Sequence, residues 1–298
     1  PGGDVIFADL CCGSGAVTLR LIGGPAARPP APYMGGKRRF APAILDLLRL
    51  RGRMPDRIIM ADAGPWATFW QTAIVDGRAA EIADALRALG RRPEKQGAAL
   101  FKAIGDEPVP EDPVAFCAVF LALQHGNAMG RPVVIIDGRW RRQGYAHLSR
   151  TAREKGSFGE RLRPWRIAPE VLRVASLPWP PLEVIGGPLQ QAELDLGAGA
   201  GAYIDPPYKG TTGYRPAVLG RRDLRSLADR LVVAGVLVGI SEGEPIPWRG
   251  WHHADVPDGG AWQARSFGPT SEWLTTSAPP ARLMTQARLG LEEVTDGR

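Results

Sequence analysis

Short apolar runs, each closed by an acid, a glycine or a proline, alternate along this chain with stretches whose apolar residues recur every three or four positions. The runs predict buried strands and the periodic stretches predict helices. DVIFADL (4–10) predicts a strand that enters the turn CCGSGA and then a helix through VTLRLI. A Pro/Ala-rich connector, GGPAARPPAP, leads to YMGGKRRF and an amphipathic helix, APAILDLLRLR. DRIIMADAGPW predicts a second strand ending at Asp62, followed by helices ATFWQTAIV and AAEIADALRALG. DPVAFCAVFLALQHGNAMG predicts a buried helix capped by Asp112. In PVVIIDGRWRRQGYAH the pair Asp137-Gly138 between strand-like runs predicts a hairpin with a tight turn. Beyond PEVLRVASLPWPP the alternation resumes with LEVIGG, AYID, DLRSLADRLV and GVLVGIS, then WHHADV and SEWLTTS as late strands. Strand and helix units at both ends of the chain, with a basic stretch between them, predict a doubly wound α/β domain with a smaller lobe.

Composition narrows the class. The chain has 298 residues, 44% hydrophobic and 23% charged, enough for one substantial core. No apolar run approaches the roughly 18 residues of a membrane span, and the N-terminus lacks a basic region leading into a long apolar one. A cytoplasmic protein without membrane contact is expected. Cys11, Cys12 and Cys117 make an odd set without metal-ligand spacing, so neither disulfides nor a metal site is expected.

The net charge of +6 allows a polyanionic partner, and its distribution says more. Between Arg131 and Arg173 arginines and lysine far outnumber acids, and Trp140, Tyr145, Phe158 and Trp165 lie among them. Such a stretch reads either as a solvated face with a few buried aromatics or as a nucleic-acid surface, where arginines hold phosphates or guanine edges and aromatics stack or wedge. The hairpin would put Arg139, Arg141 and Arg142 on its tip and second strand.

In a sheet of this type ligands bind beyond the carboxyl ends of the strands, so Asp9, Asp62 and Asp205 would face one crevice. Gly13 and Gly15, between the first strand and its helix, suit a nucleotide-type ligand, because glycine lets the backbone come close. The tetrapeptide Asp205-Pro206-Pro207-Tyr208 follows the strand AYID. Its two prolines fix two φ angles and remove two backbone donors. Asp205 and the Pro206 carbonyl can then accept from an amino group, while Tyr208 offers a ring face to a planar base.

These residues resemble those of the Dam-type DNA adenine-N6 methyltransferases, which use S-adenosylmethionine (SAM). DPPYKGTTGY is similar to that family's catalytic motif and the loop after it, DLCCGSGAV to its SAM-binding glycine motif, and YMGGKRR to its aromatic-Gly-Gly-Lys motif. ADAGPW sits where the family's ribose-binding acid would be, and LALQHGNAMG with the basic hairpin is similar to its target-recognition region. VLVGISEG and SEWLTTS resemble its last strands. The chain departs from the family in three ways. DLCCGSG precedes YMGGKRR, Cys11 replaces an aromatic before the glycines, and Pro188 stands where an acid near the cofactor adenine is common.

The resemblance implies a Rossmann-like class I methyltransferase fold with a smaller inserted target-recognition lobe. Residues 1–105 would hold SAM, 106–178 would be the DNA-binding insert, and 179–298 would carry the catalytic tetrapeptide. Asp205, Pro206, Pro207 and Tyr208 would be catalytic, with adenine flipped out of double-stranded DNA. SAM would be met by Asp9, Cys11, Gly13, Gly15, Tyr33, Gly36, Lys37, Asp62 and Asp205, and DNA by Asn127, Arg139, Arg141, Arg142, Lys209 and Tyr214. A monomer or weak dimer is expected. N4-cytosine methylation by the same acceptors, and a DNA-binding protein that has lost catalysis, stand as alternatives.

Overall fold

A computed structural model describes residues 4–33, 36–92, 97–127, 130–142, 163–206, 219–256 and 272–279. Its centre is strand β1 (Ile6–Leu10), whose apolar residues alternate between two covered faces. β2 (Arg57–Asp62) pairs parallel with one edge of β1 and β6 (Gly201–Ile204) with the other, so that Asp9 lies between Met60 and Tyr203. β5 (Leu182–Gly186) extends the sheet beyond β2, and β7 (Leu237–Glu242) extends it beyond β6, both parallel. β9 (Glu272–Thr276) runs antiparallel to β7, and β8 (His252–Val256) closes the edge. The order is therefore β5-β2-β1-β6-β7-β9-β8. The chain winds outward from β1 through β2 to β5, then returns to the other side of β1 at β6. That reversal opens a crevice between the carboxyl ends of β1 and β6.

Both faces are buried, as a parallel sheet requires. On one face, α1 (Ala16–Gly23) and α2 (Ala41–Leu47) pack on Phe7, Tyr203 and Leu274. Beside them, α3 (Pro65–Trp70), α4 (Ala79–Leu89), α5 (Gly97–Asp106), α6 (Pro113–Gly126) and α7 (Pro164–Ala175) build one apolar cluster over Ile58 and Met60. A π-turn over Gln71–Val75 continues α3. α8 (Arg221–Val233) covers the opposite face, over Ala8, Leu10, Ala202, Ile204, Val238 and Ile240. Among the described residues no helix is long and apolar enough to cross a membrane.

Local chemistry accounts for the predicted elements. Asp112 caps α6, its Oδ1 accepting from the Ala115 N–H at 2.8 Å, and Pro113 opens the helix. The hairpin forms between β3 (Val134–Ile136) and β4 (Arg139–Arg141). Its turn residues Asp137 and Gly138 have φ of 52° and 68°, the left-handed pair that suits the twist of a two-residue hairpin.

The described residues do not set the inserted lobe apart, and one expectation needs correction. The described part of 106–178 does not gather a core of its own: α6, Trp140 and α7 share the apolar cluster of the main sheet. Trp140, grouped by sequence with aromatics that could stack on bases, is 4% exposed and packs against Phe116 and Phe120. The alternation of β4 turns Arg139 and Arg141 out and Trp140 in. Tyr145 and Phe158 lie outside the described residues.

Candidate functional site

The strand pairing does not stop at the strand ends. The Cys12 N–H donates to the Ala61 carbonyl at 2.9 Å, and the Asp205 N–H to the Leu10 carbonyl at 3.0 Å. The turn after β1 and the residue after β6 are therefore fixed by the sheet itself. Above them lies a cleft of about 600 Å³, within the size range of small-molecule sites. Asp9, Cys11, Tyr33, Gly36, Lys37, Asp62, Asp205 and Pro206, all singled out from sequence, line it.

Each acid is held differently. Asp9 is 1% exposed, and its Oδ2 accepts from the Thr18 hydroxyl at 2.6 Å and the Thr18 N–H at 3.3 Å. Thr18 lies in the first turn of α1, so the carboxyl group sits where helix N–H groups favour negative charge. The other oxygen, Oδ1, is buried and has no hydrogen-bond partner among the described residues. Burial outweighs the Thr18 bonds, and Asp205 and Asp62 add to it, raising the Asp9 pKa to about 7. Asp62 clips the glycine turn to β2: Oδ2 accepts from the Gly13 N–H at 3.0 Å and Oδ1 from the Gly64 N–H at 2.7 Å. Burial raises its pKa as well, against those two bonds. Asp205 forms an ion pair with Lys37, Nζ to Oδ1 at 2.9 Å, and Lys37 is only 7% exposed.

The glycines act from behind the cleft. The turn's wall toward the cleft is made by Cys11, Cys12 and Ser14. At Gly13 (φ 47°) a Cβ would come within 2.8 Å of the Tyr33 ring, and at Gly15 (φ 66°) within 2.7 Å of Trp70. Trp70 Nε1 donates to the Gly13 carbonyl at 2.9 Å. Glycine here lets two aromatic side chains brace the turn, a tighter role than ligand approach alone. Cys11 itself takes φ 63°, strained for a residue with a Cβ, at the point where β1 gives way to the turn. Burial pushes both the Cys11 and Cys12 thiols up, which suits neutral fillers rather than nucleophiles.

The segment with Tyr33, Gly36 and Lys37 follows the glycine turn in sequence yet folds back over it. Tyr33 meets Gly13 and packs edge-on to Trp66, with ring centroids 5.9 Å apart. The order of the two motifs along the chain therefore does not keep them apart.

A third wall, absent from the sequence reading, comes from Pro132, Val133, Val134 and Ile135, with Trp66, Phe116, Leu189 and Leu219. Gln124, fully buried, fixes this wall: Nε2 donates to the Pro32, Gly130 and Arg131 carbonyls, and Oε1 accepts from the Val133 N–H at 3.0 Å. A glutamine inside the apolar run FLALQHG was the available signal, because a buried amide must find partners.

The residues assigned to DNA divide. Arg139 and Arg141 are exposed on β4. Arg142 turns inward, donating to the Gly105 carbonyl at 2.7 Å and to Asp106 at 2.6 Å, with its guanidinium over the Phe101 ring. Asn127, 2% exposed, donates to the Arg131 carbonyl at 2.8 Å and so braces the third wall. Pro207, Tyr208, Lys209 and Tyr214 lie outside the described residues. No group of metal-ligating side chains gathers among the described residues. No protein-family model matches the chain, and no curated protein matches its sequence.

Proposed function

We propose that this protein is a SAM-dependent DNA methyltransferase acting on the exocyclic N6 of adenine. One observation carries the reading: the Gly13 turn, Asp62, Lys37 and the Asp205-Pro206 pair, distant in sequence, line or brace a single cleft at the reversal point of the sheet. The strand order, with β9 the reversed strand between β7 and β8, supports a class I methyltransferase sheet.

The residues fit SAM. A cleft with apolar walls, a braced glycine turn and an acid at the end of β2 suits an adenosine, and Asp9 Oδ1, without a hydrogen-bond partner among the described residues, favours a positive charge nearby. SAM when bound supplies an electrophilic methyl group on a sulfonium. Asp62, Tyr33 and the walls at Trp66 and Leu189 would hold it. Asp205 and the Pro206 carbonyl receive the two N–H groups of the target amine. An ionised carboxylate accepts and never donates, which is what an amino group requires. Lys37 holds Asp205 in place from 2.9 Å. With amine and donor fixed side by side, positioning supplies much of the rate. By the family resemblance Tyr208 stacks on the flipped base.

DNA enters the reading through the hairpin. Its Val134 and Ile135 line the cleft while Arg139 and Arg141 stand exposed on its return strand. A surface suited to phosphates thus continues from the wall of the cleft. Duplex DNA incubated with the protein and methyl-labelled SAM, then digested to nucleosides, is expected to yield N6-methyladenine. Label found only in N4-methylcytosine would move the target base. No label above that of a Tyr208→Ala control would favour a non-catalytic DNA-binding protein.

A further inference from the structure

We infer that Asp9 makes the cleft a proton-linked site for a positively charged ligand, so that the ligand displaces a proton from the acid cluster as it enters. The inference rests on the methyltransferase reading for its ligand, the sulfonium cofactor, but the acid cluster itself stands on geometry. Asp62, Asp9 and the Asp205 carboxyl group crown three neighbouring strands, β2, β1 and β6, and all three line one cleft. Among the described residues, the cation seated with these acids is Lys37, on Asp205. The other described groups facing Asp9 are Thr18 on α1 and the neutral thiols of Cys11 and Cys12. Among the described residues, three carboxylates beside one ammonium in a buried cleft leave an excess of negative charge that burial and mutual repulsion disfavour.

The group that keeps its proton can be named. Asp62, whose pKa burial also raises, has both oxygens bonded to backbone N–H groups that oppose that rise, and Asp205 has Lys37. Asp9 has one oxygen engaged with Thr18 and the other buried beneath the cleft it lines, without a hydrogen-bond partner among the described residues. It is the acid whose pKa stands at about 7. A cation entering the cleft supplies the missing positive charge and favours the carboxylate. The proton leaves to solvent, and nothing is oxidised or reduced. Because binding releases a proton, affinity rises with pH until Asp9 is already ionised in the free protein. A ligand without positive charge gains no such help.

Calorimetric titration of the full chain with SAM, in buffers of different ionisation enthalpy, reads the released proton directly and needs no variant. Release of a substantial fraction of one proton is expected at pH 6.5. Affinity is expected to rise by roughly three- to tenfold from pH 5.5 to pH 7. Asp9→Asn, which keeps an oxygen for Thr18, should bind SAM with neither the proton release nor the pH dependence. SAM binding without proton release, or an Asp9→Asn variant with the wild-type pH dependence, would overturn the inference while leaving the cofactor assignment standing. Absence of SAM binding at every pH would overturn the cofactor assignment, and the inference with it.

Discussion

Asp205→Asn is expected to lower methyl transfer by about 100-fold or more, with duplex DNA binding kept within a few-fold of wild type. The substitution is nearly isosteric but puts an N–H donor where the target amine needs an acceptor. It also takes the carboxylate from Lys37, which is 7% exposed and lies 2.9 Å from Asp205 Oδ1. Removing one partner of such a pair is itself costly, because the remaining charge stays buried. Thermal unfolding must therefore accompany the kinetics. The account expects a fall in kcat at an unchanged KM for DNA, in a protein that still unfolds cooperatively. Parallel loss of DNA binding and of cooperative unfolding would show that Asp205 serves the fold. Transfer within a few-fold of wild type would remove it from the chemistry.

The second large effect falls on stability and has the opposite sign from a usual active-site lesion. Folded Asp9 holds its proton up to about pH 7, whereas in the unfolded chain it releases it near its ordinary pKa of 3.8. Between those values the folded protein binds more protons, so raising the pH favours unfolding, and the full cost is present above about pH 7. At about 1.4 kcal/mol per pH unit the cost reaches about 4 kcal/mol as a ceiling. Asp9→Asn removes the titration. Urea unfolding should find the variant more stable than wild type at pH 8, with the difference shrinking toward pH 5. A variant less stable than wild type at pH 8 would mean that the ionised carboxylate at the start of α1 contributes more than burial costs. A stabilising change inside a ligand site fits the general pattern in which sites retain unfavourable groups for function.

Much of the frame was legible because parallel strands buried on both faces must be apolar throughout. IFADL, RIIMAD and GAYI stand out for that reason, and each has an acid within one residue of its carboxyl end. The hairpin was legible because Asp137-Gly138 carries a specific backbone demand. Two helices gave weaker signals. α5 contains Gly97 and Gly105, poor helix formers, and the position of Gly105 is explained by the Arg142 side chain lying against it. α7 contains Pro169 within the helix. Trp140 follows the reading with buried aromatics, because Arg139 and Arg141 take the two outward positions of an alternating strand and Trp140 the inward one.

Of the site, the acids and the turn were legible; the contacts that set their properties were not. That Asp62 holds Gly13, that Lys37 reaches Asp205, and that Gln124 ties the third wall to the Pro32 carbonyl all depend on pairs separated by long stretches of chain. The glycine turn precedes the Gly-Gly-Lys segment along the chain, and folding still brings Tyr33 directly against Gly13.

The central claim is that one cleft, built by the ends of β1, β2 and β6, receives the methyl donor. Hydrogen–deuterium exchange of the full chain with and without SAM tests it most directly. Slowed exchange is predicted at 10–18, at 62–68 and at 203–206, together with the wall at 132–135. Binding of SAM with these segments unaltered and protection confined elsewhere, for example to the outer face of α8, would contradict the account.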